Sequence, residues 1–155
     1  MFVGKAEHTA NKDGRVSIPS KMRDVIKKKY DAEDLYLVLI QGNIVCLYPG
    51  QEFEKLTEAL LANPAGANLQ SVMDIERFCA DAEPCKLDGS GRIVITPSMR
   101  QSAGIDQDVM VVGAMTHIEI WDPKRWAWSR EQARSGVENI RTFPVQAGAG
   151  QQRVL

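Results

Sequence analysis

Two polar five-residue segments, each ending in arginine, carry the residue types best suited to chemistry in this chain: Asn11-Lys12-Asp13-Gly14-Arg15 and Asp88-Gly89-Ser90-Gly91-Arg92. An Asn or Asp four residues ahead of the Arg can accept backbone N–H groups and fix a turn. A Gly just before the Arg supplies backbone conformations that other residues resist. The Arg is then presented at the loop's exit, where its planar fork can contact phosphates or the O6 and N7 atoms of guanine. The same fork could instead pair with carboxylates at a contact between the two segments' surroundings, and the loops alone leave both readings open.

The elements that position these loops are duplicated. Gly14 to Arg23 (GRVSIPSKMR) recurs as Gly91 to Arg100 (GRIVITPSMR), with five of ten positions identical at an offset of 77. Leu35 to Pro49 then aligns with Val109 to Pro123 at an offset of 74, so the second copy is three residues shorter in its middle. A repeat of this length reads as one supersecondary unit that buries its apolar face against its twin. Val16 to Ile18 and Ile93 to Ile95 are short β-branched strands. In the second copy Thr96 is placed to cap a helix that starts at Pro97 and stops at Gly104. In the first, Met22, Val25 and Ile26 keep helical spacing. Leu35 to Ile40 with Ile44 to Tyr48, and Val109 to Ala114 with Ile118 to Trp121, read as hairpins that close on Pro49 and Pro123. Helices follow, with Phe53, Leu56, Leu60 and Leu61 on one stripe, Leu69, Val72, Met73 and Phe78 on another, and a weaker pair, Trp126 and Ala133, after the second hairpin. The predicted units are 5–52 (first repeat), 53–81 (helical connector), 82–125 (second repeat), 126–143 (C-terminal helix) and 144–155, a tail with little to bury.

The chain has 155 residues, 44% of them hydrophobic and 25% charged, which is enough to build a core without disulfides. An odd number of cysteines, Cys46, Cys79 and Cys85, lacks C-x-x-C spacing and points to a reducing, cytoplasmic setting. No stretch has the length of a membrane span or the pattern of a secretory signal. The net charge is −1, but residues 5–29 hold eight bases against three acids, and residues 30–81 hold nine acids against two bases. A field concentrated in one segment can recruit a polyanion even on a nearly neutral chain. A solvated helical face accounts for Lys27 to Lys29 equally well.

Catalysis needs a nucleophile with its base, paired carboxylates or a metal cluster converging in a pocket. His8 and His117 occupy different parts of the repeat, and the cysteines lack zinc-ligand spacing along the chain. Gly89-Ser90-Gly91 lacks the Lys-Ser/Thr of a phosphate-binding loop and precedes a strand rather than a helix. No enzyme, no metal, no cofactor and no small-molecule substrate are therefore expected, and the histidines and cysteines are expected to be dispensable for chemistry.

Taken together, Met1-Phe2-x-Gly4, the two loops with Gly before Arg, Ile18-Pro19, and the hairpin exits Tyr48-Pro49 and Trp121-Asp122 resemble the MraZ family, bacterial proteins with two tandem SpoVT/AbrB-like domains. The resemblance implies an α+β fold, a pseudo-symmetric β-barrel of swapped hairpins with helices outside, assembled into a homo-oligomeric ring. It also implies a cytoplasmic, nucleoid-associated transcriptional regulator that binds short direct repeats of double-stranded DNA in the promoter of its own operon, the division and cell-wall cluster. Its DNA-binding residues here would be Arg15, Lys12, Asn11, Lys21, Arg23 and Arg92, with Gly14, Asp88 and Gly91 shaping the loops. The family's first loop usually reads D-x-K-G-R. In this chain Asn11 stands at the Asp position and Asp13 at the Lys position, which sets a negative charge two residues from Arg15 with Lys12 as partial compensation. Two other readings are a single-domain-like AbrB antitoxin and a structural ring that does not bind DNA. The first fits poorly with both halves in one chain, and only a binding measurement separates the second.

Overall fold

In the computed structural model, residues 1–41, 43–63 and 69–133 are described. Residues Met1–Pro123 form one compact unit and Lys124–Leu155 another. The first unit runs β1 (Lys5–Thr9), β2 (Arg15–Ser17), α1 (Ser20–Lys29), β3 (Leu35–Ile40), β4 (Ile44–Pro49), α2 (Gly50–Ala62), α3 (Leu69–Ala80), β5 (Glu83–Cys85), β6 (Arg92–Val94), α4 (Pro97–Ala103), β7 (Asp108–Gly113) and β8 (Ile118–Trp121). Helix α5 (Pro123–Gln132) follows. Within it the Arg130 guanidinium lies 5.5 Å over the Trp126 ring. The predicted tail falls outside the described residues.

Local chemistry explains the element boundaries of the second repeat. The Thr96 hydroxyl accepts the Met99 N–H at 3.4 Å, Pro97 sits at the first helical position, and Gly104 takes the left-handed conformation (φ 67°) that ends α4. Helix α1 has no side-chain cap, but Lys27, Lys28 and Lys29 fill its last turn, where cations complement the helix dipole. All three are exposed. Part of the basic bias of the first segment therefore serves this helix.

Strand pairing exchanges elements between the repeats. One antiparallel sheet has the order β1-β7-β8-β4-β3-β5, and β2 pairs with β6 in a separate ribbon. The hairpins β3–β4 and β7–β8 lie side by side through β4 and β8, while β1 of the first repeat joins the second repeat's hairpin and β5 of the second joins the first's. Registers agree with the duplication: His8 faces Val109, and the equivalent residues Cys85 and Leu35 face each other. In the ribbon, Val16 faces its own counterpart Ile93, both fully buried, so the pseudo-symmetry axis passes between them. The described strands show a mixed fold with a mainly antiparallel sheet and helices. They do not show the closed barrel expected from the family resemblance, because β1 and β5 are the sheet's two edges and no pairing among the described residues joins them.

The main core collects the inward positions of both repeats, including Phe2, Ile26, Leu37, Val111, Ile118 and Ile120, together with the ribbon's buried face. A smaller core of Val38, Cys46 and Tyr48 packs with Phe53, Leu56 and Phe78 from α2 and α3. The predicted connector helices thus cover the outer side of the first hairpin. At the start of α2, Gly50 lies so close to the Asp34 carboxylate that a Cβ would overlap it. Beneath this helix Tyr30 donates its hydroxyl to Glu52 at 2.9 Å, and burial followed by that bond pushes its phenol up to about 12.

Candidate nucleic-acid interface

The two arginine loops fold alike. In the first, Asn11 Oδ1 accepts the Asp13 N–H at 3.0 Å and the Arg15 N–H at 2.9 Å; in the second, Asp88 Oδ1 accepts the Ser90 N–H at 2.8 Å and the Arg92 N–H at 3.0 Å. The backbone repeats the match. Gly14 N–H donates to the Asn11 carbonyl and Gly91 N–H to the Asp88 carbonyl, both at 3.0 Å. Both glycines have positive φ, 79° and 75°. Asn11 therefore performs the capping task of Asp88, as its side-chain oxygen allows.

Each loop is braced by the other repeat. Ile18 N–H donates to the Gly91 carbonyl at 3.0 Å and Ile95 N–H to the Gly14 carbonyl at 2.9 Å. Below the second loop, Arg23 of α1 directs Nη1 to the Ser90 carbonyl at 3.4 Å; below the first, Arg100 of α4 directs Nη1 to the Lys12 carbonyl at 3.4 Å and Nη2 to the Asp106 carbonyl at 2.7 Å. Both side chains are half-buried. Arg23, assigned to DNA contact from the family resemblance, is thus placed as a brace under the opposite loop. Arg100 was missed, although the repeat alignment pairs it with Arg23.

The ribbon register decides which side chains face outward. Arg15 stands opposite Val94 and Ser17 opposite Arg92, and directly opposed residues share a face. With Val16 and Ile93 buried on one face, the other carries Arg15, Ser17, Arg92 and Val94. Val94 is half exposed, and the loops flank this face at opposite ends. Lys12, Asn11 and Lys21 are exposed, Lys21 on the first turn of α1. The two guanidinium groups are held differently. Arg15 pairs with Asp13 at 3.1 Å in a bridge whose acid is 73% exposed, whereas Arg92 Nε meets Asp88 Oδ2 at 3.1 Å, the acid being 37% exposed and already committed to two amides. Neither arginine pairs with a carboxylate of the other repeat among the described contacts. An exposed pair such as Arg15–Asp13 contributes little, about 0–1 kcal/mol, and yields readily to a phosphate.

The two loops differ in their response to acid. The Arg92 amide first, then the Ser90 amide and the Arg92 charge, hold the Asp88 carboxyl below its ordinary value. A carboxylate lowered in the folded state contributes stability above its unfolded value, near ~3.9, and that contribution is lost as pH falls through the folded value. Asn11 does not titrate. The Asp88→Asn protein should therefore be less stable than the natural chain at neutral pH, and the difference should shrink toward zero as the pH is taken below about 4. Urea unfolding at a series of pH values measures it, and a difference that stays constant into acid would exclude the linkage.

Known proteins resemble this chain in sequence along nearly its whole length. A family profile described as "MraZ protein, putative antitoxin-like" matches residues 1–74 and 78–142. A protein of Syntrophomonas wolfei named transcriptional regulator MraZ is 33% identical over 151 residues, covering 96% of this chain and 99% of that one. Proteins of the same name from Lachnoclostridium phytofermentans (34% over 128 residues, 81% and 84% covered) and Syntrophobacter fumaroxidans (30% over 149 residues, 96% of each) extend the likeness. With the profile spanning both repeats and their loops, the chain belongs to the MraZ family.

Proposed function

We propose that this protein is a transcriptional regulator that binds double-stranded DNA, and not an enzyme. Its similarity to proteins named as transcriptional regulators supports the class. The observation that carries the DNA-binding reading is the ribbon's outward face, where two arginines presented by matched, braced loops flank a short two-stranded surface. A β-ribbon fits the major groove, and Arg is the commonest specific reader of guanine there. Asn11 and Lys12 in the first loop, and Lys21 at the start of α1, supply phosphate contacts, which set register without reading sequence. Arg23 supports the second loop.

One subunit offers few contacts. A homo-oligomeric ring, with repeats 5–52 and 82–125 of each chain closing into a barrel, displays many copies of the face. Short direct repeats in the promoter of the chain's own operon, within the division and cell-wall cluster, are the matching target. Engagement of one subunit raises the effective concentration of the next. The regulator would act in the cytoplasm at the nucleoid, and no helix among the described residues is long and apolar enough to cross a membrane.

The test combines light scattering on gel-filtered protein with titration of DNA fragments carrying one or four upstream repeats. The expected result is a closed oligomer that binds four repeats far more tightly than one, with affinity falling steeply with salt. Equal affinity for one and four repeats refutes the multivalent reading. No preference over unrelated DNA refutes the regulator.

A further inference from the structure

Cys46 lies far along the chain from His117 and Glu119, yet the pairing of β4 with β8 brings the three together. Cys46 stands opposite Glu119 in that register, and His117 lies two residues before Glu119. The three donor atoms all fall within 4.8 Å of one another, and His117 Nε2 is 3.4 Å from Glu119 Oε1. We infer that these residues form a binding site for a divalent transition-metal ion of the zinc type, with three protein ligands and one position left to solvent.

The donor set is one that zinc accepts, a thiolate, an imidazole and a carboxylate. At zinc bond lengths of about 2.0–2.3 Å, neighbouring donors of a tetrahedral ion sit roughly 3.3–3.7 Å apart. The His–Glu pair already spans that distance at 3.4 Å, and the sulfur, within 4.8 Å of both, has about 1 Å to close. The atoms that would not touch the ion are engaged as metal sites require. His117 Nδ1 meets the Thr116 hydroxyl at 3.1 Å, which leaves Nε2 for the ion, and Glu119 Oε2 accepts the Trp121 indole N–H at 2.7 Å, which leaves Oε1. The Tyr48 ring stacks on His117 at 4.4 Å between centroids and sets the imidazole plane.

Burial and solvent access also fit. Cys46 is buried, so the ion would be held at its sulfur within the sheet, while His117 and Glu119 keep 16% and 22% exposure, enough for entry and for a water ligand. Among the described hydrogen bonds the Cys46 sulfur has only a long one to the Ile44 carbonyl, at 3.8 Å. By strand register Cys46 and Glu119 are counterparts that face each other across β4 and β8, and the counterpart of His117 is Ile44, so the pseudo-symmetry gives the site no second copy. The inferred site runs against the expectation of no metal, which rested on spacing along the chain, because the pairing of β4 with β8 brings the donors together instead.

The test uses the full chain carrying Cys79→Ser and Cys85→Ser, stripped with chelator, so that Cys46 is the sole thiol. Titration with Zn²⁺ is expected to saturate at one ion per chain, and Co²⁺ to give a thiolate-to-metal charge-transfer band. His117→Asn and Cys46→Ser should each weaken Zn²⁺ binding by at least about a hundredfold, and Trp121→Phe by roughly 10- to 100-fold, the usual effect of removing a partner that orients a ligand. His117→Asn, at a partly exposed position, keeps the test independent of whether Cys46→Ser folds. Absence of saturable binding, a Co²⁺ complex without the thiolate band, or unchanged affinity in folded His117→Asn protein would each overturn the site.

Discussion

Arg15→Ala should abolish preferential binding to the promoter repeats, while Arg92→Ala should leave most of it. Loss of one bidentate arginine contact to a base costs about 1–3 kcal/mol, or roughly 5- to 150-fold, per engaged subunit. Across several subunits these losses compound until only non-specific phosphate attraction remains. The inequality has two sources. Residues 11–15 hold two bases and one acid and residues 88–92 one of each, so the first loop has the more positive charge of its own, whereas α1, with five of the bases of residues 5–29, packs under the second loop. Arg15 is also the freer guanidinium, tied only to the exposed Asp13, whereas Arg92 is held by the carboxylate that shapes its loop. Asp13→Lys removes that tie and should tighten binding while steepening its salt dependence. Titration of the three variants on one promoter fragment, each confirmed to keep the oligomeric state, checks this. Equal losses for the two arginines would mean that both loops read DNA alike and that local charge does not rank them.

The second large effect concerns the glycines beneath those arginines. Gly14→Ala should destabilise the protein by about 2–4 kcal/mol, from the left-handed backbone and from steric overlap. A Cβ there would sit 2.5 Å from the Ile95 carbonyl oxygen, a backbone atom that has no rotamer to move to. At Gly91 the obstacle is instead the Arg23 side chain, including its guanidinium and Cδ. Arg23 can swing away, so Gly91→Ala should cost less, and adding Arg23→Ala should recover the steric part. Adding Arg100→Ala to Gly14→Ala should recover little. Chemical denaturation of the two glycine variants, the two arginine variants and the two doubles measures the two couplings; rescue of both pairs to the same extent would show that backbone approach is not the difference between the loops.

Much of this was legible because the information is local. The Asx residue, the glycine and the arginine of each loop lie within five positions, and Thr96, Pro97 and Gly104 announce α4 by their own chemistry. The hairpins were readable from their β-branched and aliphatic runs, and both were found at β3–β4 and β7–β8. Strands β1 and β5 were not anticipated. Lys-Ala-Glu-His-Thr offers little apolar signal, and Glu-Pro-Cys is short; both are edge strands specified by partners in the other repeat. The role of Arg23 was hidden for the same reason, since its target is a carbonyl of the opposite loop. Cys46 and Glu119 are unremarkable until β4 and β8 are aligned.

The exchange of edge strands has a consequence for a chain made from its N-terminus. When β1 leaves the ribosome, its partner β7 has not been synthesised, and the nascent strand must wait through the rest of the first repeat, the connector and then β5, β6 and α4 before it can be paired. The hairpin β3–β4 waits likewise for β5. During that interval Lys5 and Glu7 place charge along the open edge of β1, the kind of protection that keeps an unpaired strand from recruiting a neighbouring chain. Its weak apolar character, which conceals it in the sequence, is what makes a long delay before pairing tolerable.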